Sequence, residues 1–345
     1  MVSGFNINDP ETWPLAATLN KELEELIAKG VKPRFSSDKE ASLSEKRVKY
    51  NALFKEDAAD ILNHASQVSQ REVFVPVRDG SLVRALVNSP KTVDLAEELP
   101  LVVLIHGGGF ILGSAEMETP TCVGAVSQYG CVAVSLEYRL SPEVKFPVAY
   151  QDCWDAVQWL LSHASELSFN PSRGFVFGGT SAGSHISIPL AHKARDEGLL
   201  FPITGLYHSV PPALMPQALT NKYKPYYKSR EQLKDGMTLN SKATATYDVA
   251  VQPDFASPLW NPLLWPTGHK DLPPTYFQIC GADLLRDEAL IYERELRLEN
   301  GASTRTVVYE GLPHIFWYNY PSHSASRKFI QDAITGIGWL LGREN

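Results

Sequence analysis

The sequence predicts an α/β fold, a mainly parallel central sheet with helices on both faces and a helical cap. Three observations carry that expectation. From residue 101 onward short apolar runs alternate with helical patterns, the order a parallel sheet imposes because each crossover must return the chain to the same edge. Those runs lack polar alternation, as strands buried on both faces do. One of them leads through Gly178-Gly-Thr-Ser-Ala-Gly-Ser184 directly into a helical pattern, a strand-to-helix turn built around a single serine.

Residues 9–29 read as a helix: Asp9 can cap it, Pro10 suits its first position, Gly30 can end it, and Ala16, Leu19, Leu23, Leu26 and Ile27 recur at helical spacing. A weaker helical pattern covers 44–66, so residues 1–70 are expected to be a helical cap segment docked on a later body. From Arg71 the period becomes that of strands. Val73, Val75 and Val77 alternate, Asp79-Gly80 supplies a turn, and 82–87 makes the second arm of a hairpin at the edge of the sheet. Buried strands are expected at 101–105, 132–136, 174–177, 203–210 and 275–279, with a further strand-like run at 305–309. Helices are expected at 148–161, 181–195 and 284–298. Residues 211–272 carry many prolines and aromatics with little period, and read as a cap insertion of short helices and loops within a body spanning 71–345.

A chain of 345 residues, 44% of them hydrophobic, can bury a large core. Its net charge of -7, with acidic and basic residues interspersed, excludes a polyanion-binding surface, so nucleic acid is not an expected partner. No run approaches the roughly 20 apolar residues of a membrane span, and the start of the chain lacks the basic and apolar regions of a secretory signal. A soluble, cytoplasmic protein is expected. Cys122, Cys131, Cys153 and Cys280 lie far apart without a Cys-x-x-Cys pair, and read as reduced packing cysteines instead of disulfide or zinc positions. The C-terminal Gly-Arg-Glu-Asn matches no retention address.

The chemistry is concentrated at the ends of predicted strands. Gly179, Ser181 and Gly183 fill a Gly-x-Ser-x-Gly turn, in which small neighbours let the backbone bend sharply enough to expose the serine hydroxyl. A nucleophilic serine needs a base, an acid that orients the base, and donors for the oxyanion formed on attack. His106-Gly-Gly-Gly-Phe110 follows the 101–105 strand, and its glycines allow backbone N–H groups to approach a substrate; the patterns of a phosphate loop are absent. His314 follows the 305–309 run, with His323 as its nearest rival. Asp283 follows the 275–279 strand. It competes with two plainer possibilities, that it only caps the next helix and that Asp287 orients the histidine; Asp283 is favoured because it lies nearer the strand end. The order Ser181, Asp283, His314 is that of one serine-triad architecture and not of the others.

These motifs, with Tyr138-Arg-Leu-Ser-Pro-Glu143, Phe146-Pro147 and Gly311-Leu-Pro-His-Ile-Phe316, resemble the hormone-sensitive-lipase-like branch of the α/β-hydrolases, the family IV esterases and arylacetamide deacetylases, over about 70–342. The resemblance implies Ser181 as nucleophile, His314 as general base and then acid, and Asp283 as its orienting partner. The N–H groups of Gly108, Gly109 and Ala182 would form the oxyanion hole. It implies no metal or organic cofactor and a small-molecule ester as substrate, with a homodimer as an open assembly state. Tyr138, Arg139 and Glu143 read as a brace behind the glycine loop. The chain departs from the branch at Thr180, where many members have Asp, at Ser184, where Gly is commoner, and at Leu284, which replaces a proline. The function expected is hydrolysis, through an acyl-enzyme, of a small to medium apolar or aromatic carboxylester. An acyltransferase, thioesterase or lactonase using the same triad is the alternative. Non-catalytic gibberellin receptors and a dehydratase also resemble this branch, but the presence of Ser181, Asp283 and His314 stands against the first and Gly107 to Gly109 against the second.

Overall fold

A computed structural model describes residues 4–35, 41–92 and 98–344. The first three residues of the chain start and the last residue of the C-terminal tetrapeptide lie outside them. A 3-10 helix, Pro10–Ala17, precedes α1 (Lys21–Ala28) and α2 (Leu43–His64), and the hairpin is β1 (Val68–Pro76) and β2 (Leu82–Pro90). There follow β3 (Leu101–Ile105), α3 (Thr119–Tyr129), β4 (Val132–Glu137), α4 (Val148–Ser162), β5 (Phe175–Thr180), α5 (Ala182–Glu197) and β6 (Gly205–Ser209). Two helices, α6 (Ser229–Gln232) and α7 (Ser241–Val251), lie in the proline- and aromatic-rich segment. The chain closes with β7 (Thr275–Cys280), α8 (Arg286–Arg294), β8 (Thr304–Tyr309), α9 (Phe316–Asn319) and α10 (Ser324–Leu340).

The eight strands form one sheet in the order β1-β2-β4-β3-β5-β6-β7-β8. The pairs β1–β2 and β2–β4 are antiparallel and all the others parallel. Successive side chains of a strand point to opposite faces, and β3 shows what that means for a covered sheet. Leu101, Val103 and Ile105 pack with residues of α4 and α5, such as Leu160 and Ile186. Val102 and Leu104 pack with residues of α3 and α10, such as Val126 and Ile337. Both faces are dry, so the strand reads as an unbroken apolar run.

The structure corrects the first expected helix. Pro14 removes a backbone donor in its middle, Pro10–Ala17 winds as a 3-10 helix, and the chain leaves helical geometry at Thr18, with ψ 117°. Asn20 then caps a new helix by accepting from the N–H groups of Glu22 and Leu23. The break is fixed from outside the segment. Gly311 donates its N–H to Ala16 O at 2.7 Å, and Asn20 donates to Gly311 O at 3.2 Å. A Cβ on Gly311, whose φ is 70°, would stand 2.3 Å from Thr18 O, and one on Gly281 would stand 2.3 Å from Ala16 O. The arm at 16–20 is thus seated on the two loops that follow β7 and β8. Expected strand and helix limits elsewhere shift by a few residues; α8 starts at Arg286 instead of 284 and passes into a π turn at Glu295–Glu299. The four cysteines are buried and free.

The single turn α9 and two longer helices have no counterpart in the sequence reading. In α3 most residues, including Thr119, Thr121, Cys122, Val123, Ala125 and Val126, are buried, so it has little polar face to give it a period. The other, α10, carries Gly336 and Gly338 against the rings of Tyr276 and Tyr129, where a Cβ would approach to 2.4 Å and 2.2 Å.

Candidate active site

Ser181, Asp283 and His314 meet beyond the C-terminal ends of β5, β7 and β8, where an open parallel sheet gathers ligand-facing loops. The turn after β5 holds Ser181 at φ 54° and ψ -114°, a conformation that costs an ordinary L residue energy and persists only when its surroundings hold it. They do: Ser181 N–H donates to Ser209 O at 2.8 Å, on β6. The hydroxyl of Ser184 accepts the Ser209 N–H at 3.1 Å and donates to Gly179 O. The departure at Ser184 therefore ties the elbow to the next strand. Cβ atoms at Gly179 and Gly183 would stand 2.4 Å and 1.9 Å from Ile105 O, so only glycine lets helix and strand approach this closely.

Ser181 Oγ lies 2.9 Å from His314 Nε2, and His314 Nδ1 lies 2.6 Å from Asp283 Oδ2. Because a carboxylate only accepts, Nδ1 carries the proton, and Nε2 is left to accept from the serine. The other oxygen of Asp283 accepts the Leu285 N–H at 3.0 Å. Asp283 thus both caps the turn before α8 and holds the histidine. All three side chains are buried.

The glycine loop after β3 lies beside the serine. Gly108, Gly109 and Phe110 have φ of 114°, 61° and 66°, and Gly108 O accepts from Leu112 at 2.9 Å. The N–H groups of Gly108, Gly109 and Ala182 have no acceptor among the described residues. That of Ala182 also sits at the positive end of α5. The loop is braced from behind. The Tyr138 ring stacks on His106 at 4.4 Å, Ser141 donates to Phe110 O at 2.8 Å, and Arg139 pairs with Asp152 at 2.6 Å. Arg47, on α2, donates to Ile111 O at 2.7 Å and pairs with Glu143 at 2.6 Å. Sequence reasoning passed over Arg47, whose partners lie far along the chain.

The rivals for these roles are engaged elsewhere. Asp287 accepts from the N–H groups of Lys228 and Ser229 at 2.7 and 2.6 Å, tying α8 to α6. His323 caps α10 and lies 3.1 Å from Asn20 Oδ1. His185 packs its Nε2 2.7 Å from Trp260 O, and burial pushes its pKa down to about 4.

A further buried acid escaped the sequence reading. Glu118 lies against the Thr180 hydroxyl one residue before the serine, with Oε1 lacking a partner among the described residues, and burial pushes its carboxyl up to about 8. Thr180, another departure from the branch, is thus in contact with a neutral acid.

A cavity of 370 Å³ opens over Ser181 and His314. Phe35, Tyr50 and Phe54 from the N-terminal segment form one wall, and Met215, Leu239 and Tyr247 from the 211–272 segment another. Leu284, the third departure, is buried with Leu239 and Leu285 beneath Ala243 and Tyr247, and so seats α7 on the body. Among the described residues no group of three or more His, Cys, Asp or Glu could hold a metal ion, and no helix is long and apolar enough to cross a membrane.

A family model described as the α/β-hydrolase fold matches residues 102–318. An AB hydrolase superfamily protein of Schizosaccharomyces pombe is 40% identical over 287 residues, 83% of this chain and 84% of the relative. A versiconal hemiacetal acetate esterase of Dothistroma septosporum is 32% identical over 247 residues, 71% and 74% of the two chains. The crystal structure of vibralactone cyclase superposes with a TM-score of 0.87 at 30% identity, covering 95% of this chain and 96% of that one. With the sheet order and strand-end loops described above, these likenesses establish that the chain belongs to the α/β-hydrolase fold family, in its hormone-sensitive-lipase-like branch of carboxylesterase-type serine hydrolases.

Proposed function

We propose that this chain hydrolyses a small to medium apolar or aromatic carboxylester through an acyl-enzyme on Ser181. The observation that carries the reading is the hydrogen-bonded line from Ser181 Oγ through His314 to Asp283 beside three N–H groups with no acceptor among the described residues. As Ser181 Oγ attacks the ester carbonyl, its proton passes to His314 Nε2, and Asp283 stabilises the imidazolium through Nδ1–H. The negative charge on the former carbonyl oxygen is met by the N–H groups of Gly108, Gly109 and Ala182, an oxyanion hole formed before the reaction starts. His314 returns the proton to the departing alcohol; water then attacks the acyl-enzyme with the same histidine as base. In this reading residues 1–70 and the insertion at 211–272 act together as the cap of a hydrolase body. The aromatic walls of the cavity supply the affinity for an apolar acid or alcohol group. Four free buried cysteines fit a cytoplasmic, reducing setting.

The test is a series of p-nitrophenyl esters from short to long acyl chains, assayed with wild type and Ser181→Ala and checked by fluorophosphonate labelling. Turnover and labelling are expected of wild type alone, with Ser181→Ala lower in kcat by on the order of 10³-fold or more. A folded wild type that neither labels nor turns over any ester sinks the reading. The likeness to vibralactone cyclase favours a second reading, in which a hydroxyl of the acyl chain itself replaces water and a lactone leaves. Product analysis separates the two, since hydrolysis yields the free acid and internal capture a ring.

A further inference from the structure

The cavity is apolar over most of its wall, but Arg230 of α6 and Asp248 of α7 both border it. The guanidinium is anchored on buried Glu288 and lies beside the Tyr227 hydroxyl, which donates to the same carboxylate at 2.8 Å. Its Nε and Nη2 each reach Glu288 Oε1 at 2.6 Å, and Nη2 lies 3.7 Å from Met215 Sδ. Nη1 has no acceptor among the described residues. Asp248 is half-buried and receives no hydrogen bond from a described residue. Burial pushes its carboxyl above the ordinary value, with the nearby Arg230 working in the opposite direction.

The fold uses the guanidinium as the partner of buried Glu288, but among the described residues nothing engages its Nη1 or the Asp248 carboxyl. Desolvated polar groups without partners are costly, and in an apolar pocket they are the groups that orient a ligand. A guanidinium only donates and a carboxylate only accepts, so one ligand group that satisfies both must accept and donate at once. A hydroxyl does so. A ligand carboxylate would meet Glu288 and Asp248, and an ammonium would meet Arg230, each a like charge in a poorly solvated place.

We propose that the Arg230–Asp248 end of the cavity is a subsite for a neutral hydroxyl carried by the substrate away from its ester, with the hydroxyl oxygen accepting from Arg230 Nη1 and its proton directed to Asp248. The natural substrate is then a hydroxylated ester. The kinetic arm of the test rests on the hydrolase reading above, whereas the binding arm does not.

Matched compounds that differ only in one hydroxyl are compared: p-nitrophenyl hexanoate with 6-hydroxyhexanoate for the acyl side, and hexyl acetate with 6-hydroxyhexyl acetate for the alcohol side. Wild type is read by kcat/KM and Ser181→Ala by Kd from the quenching of tryptophan fluorescence, Trp260 being in the cavity wall. The expected result is a preference of about tenfold or more for the hydroxylated member of at least one pair. Asp248→Ala should bring that ratio close to one. Asp248→Asn, which keeps an acceptor, should restore part of it, and Val249→Ala, exposed on the same helix, should leave it as in wild type. Ratios at or below one in both pairs, a ratio unchanged in Asp248→Ala, or a larger gain for 6-amino or 6-carboxy analogues would overturn the proposal. If no ester is turned over while the binding ratio holds, the hydrolase reading fails and the subsite stands.

Discussion

Glu118 offers a quantitative test of how the ground beneath the serine is built. Its carboxyl has an ordinary value of 4.5 and is pushed up to about 8 by burial. Between those values the folded chain binds more protons than the unfolded one, so stability contributed by this group is complete below pH 4.5 and is lost as pH rises, levelling off above 8. The loss accumulates at about 1.4 kcal/mol per pH unit, which comes to about 3 kcal/mol between pH 4.5 and pH 7. Glu118→Gln puts a neutral amide of the same shape in its place and abolishes the titration. Any hydrogen bond the amide gains or leaves unmade shifts stability by a constant amount, so the informative quantity is the slope. Urea unfolding of wild type and variant is measured at intervals from pH 4.5 to 8. The variant is expected to gain on wild type by about 3 kcal/mol from pH 4.5 to 7, whatever the offset at the acid end. Many other carboxylates titrate at low pH, but they are common to both proteins and cancel in the difference. Two parallel stability curves would refute the reasoning and mean that Glu118 is charged in the folded protein or reached by water.

Two further outcomes follow from the geometry. Asp283→Asn should lower kcat by on the order of 10³- to 10⁴-fold, because the amide does not hold His314 in the tautomer that presents Nε2 to Ser181. Asp287→Asn, which loosens the tie between α6 and α8 and the buried pair with Arg286, should alter stability more than chemistry, and equal losses of kcat would contradict the assignment. Gly311→Ala should cost about 2 kcal/mol more than Gly301→Ala. The two glycines have similar φ, 70° and 68°, yet only at Gly311 would a Cβ meet neighbouring backbone. Equal thermal shifts for the two variants would show that the arm at 16–20 is not seated as described.

The legible parts of the chain were those fixed by near neighbours in sequence. The strands at 101–105 and 275–279 could be read because both of their faces are covered. Ser181, Asp283 and His314, which the fold brings together, could be singled out because each stands just past such a run, where backbone geometry restricts the residue types on either side. The first helix was misread because Pro14 and Asn20 are local signals of a break whose cause, the seat on Gly311, lies at the other end of the chain. Arg47, Glu118 and Asp248 went unnoticed for a related reason. A lone arginine or acid looks like solvated surface until folding shows that one grips the glycine loop, one lies beneath the elbow and one borders the cavity.

The seat of the N-terminal arm also bears on the order in which the protein becomes competent. Synthesis delivers residues 16–20 well before their partners, and His323 is 303 residues removed from the Asn20 it touches. Closing a loop of that span costs more entropy than a local contact does, and the intervening sheet is what brings the two ends together, so this contact is expected to form after the sheet. A nascent chain that has emerged as far as β6 holds the glycine loop and Ser181 but neither Asp283 nor His314. The arm can fasten across the loops of Asp283 and His314 only once both are present, so a segment made long before those loops becomes their latch.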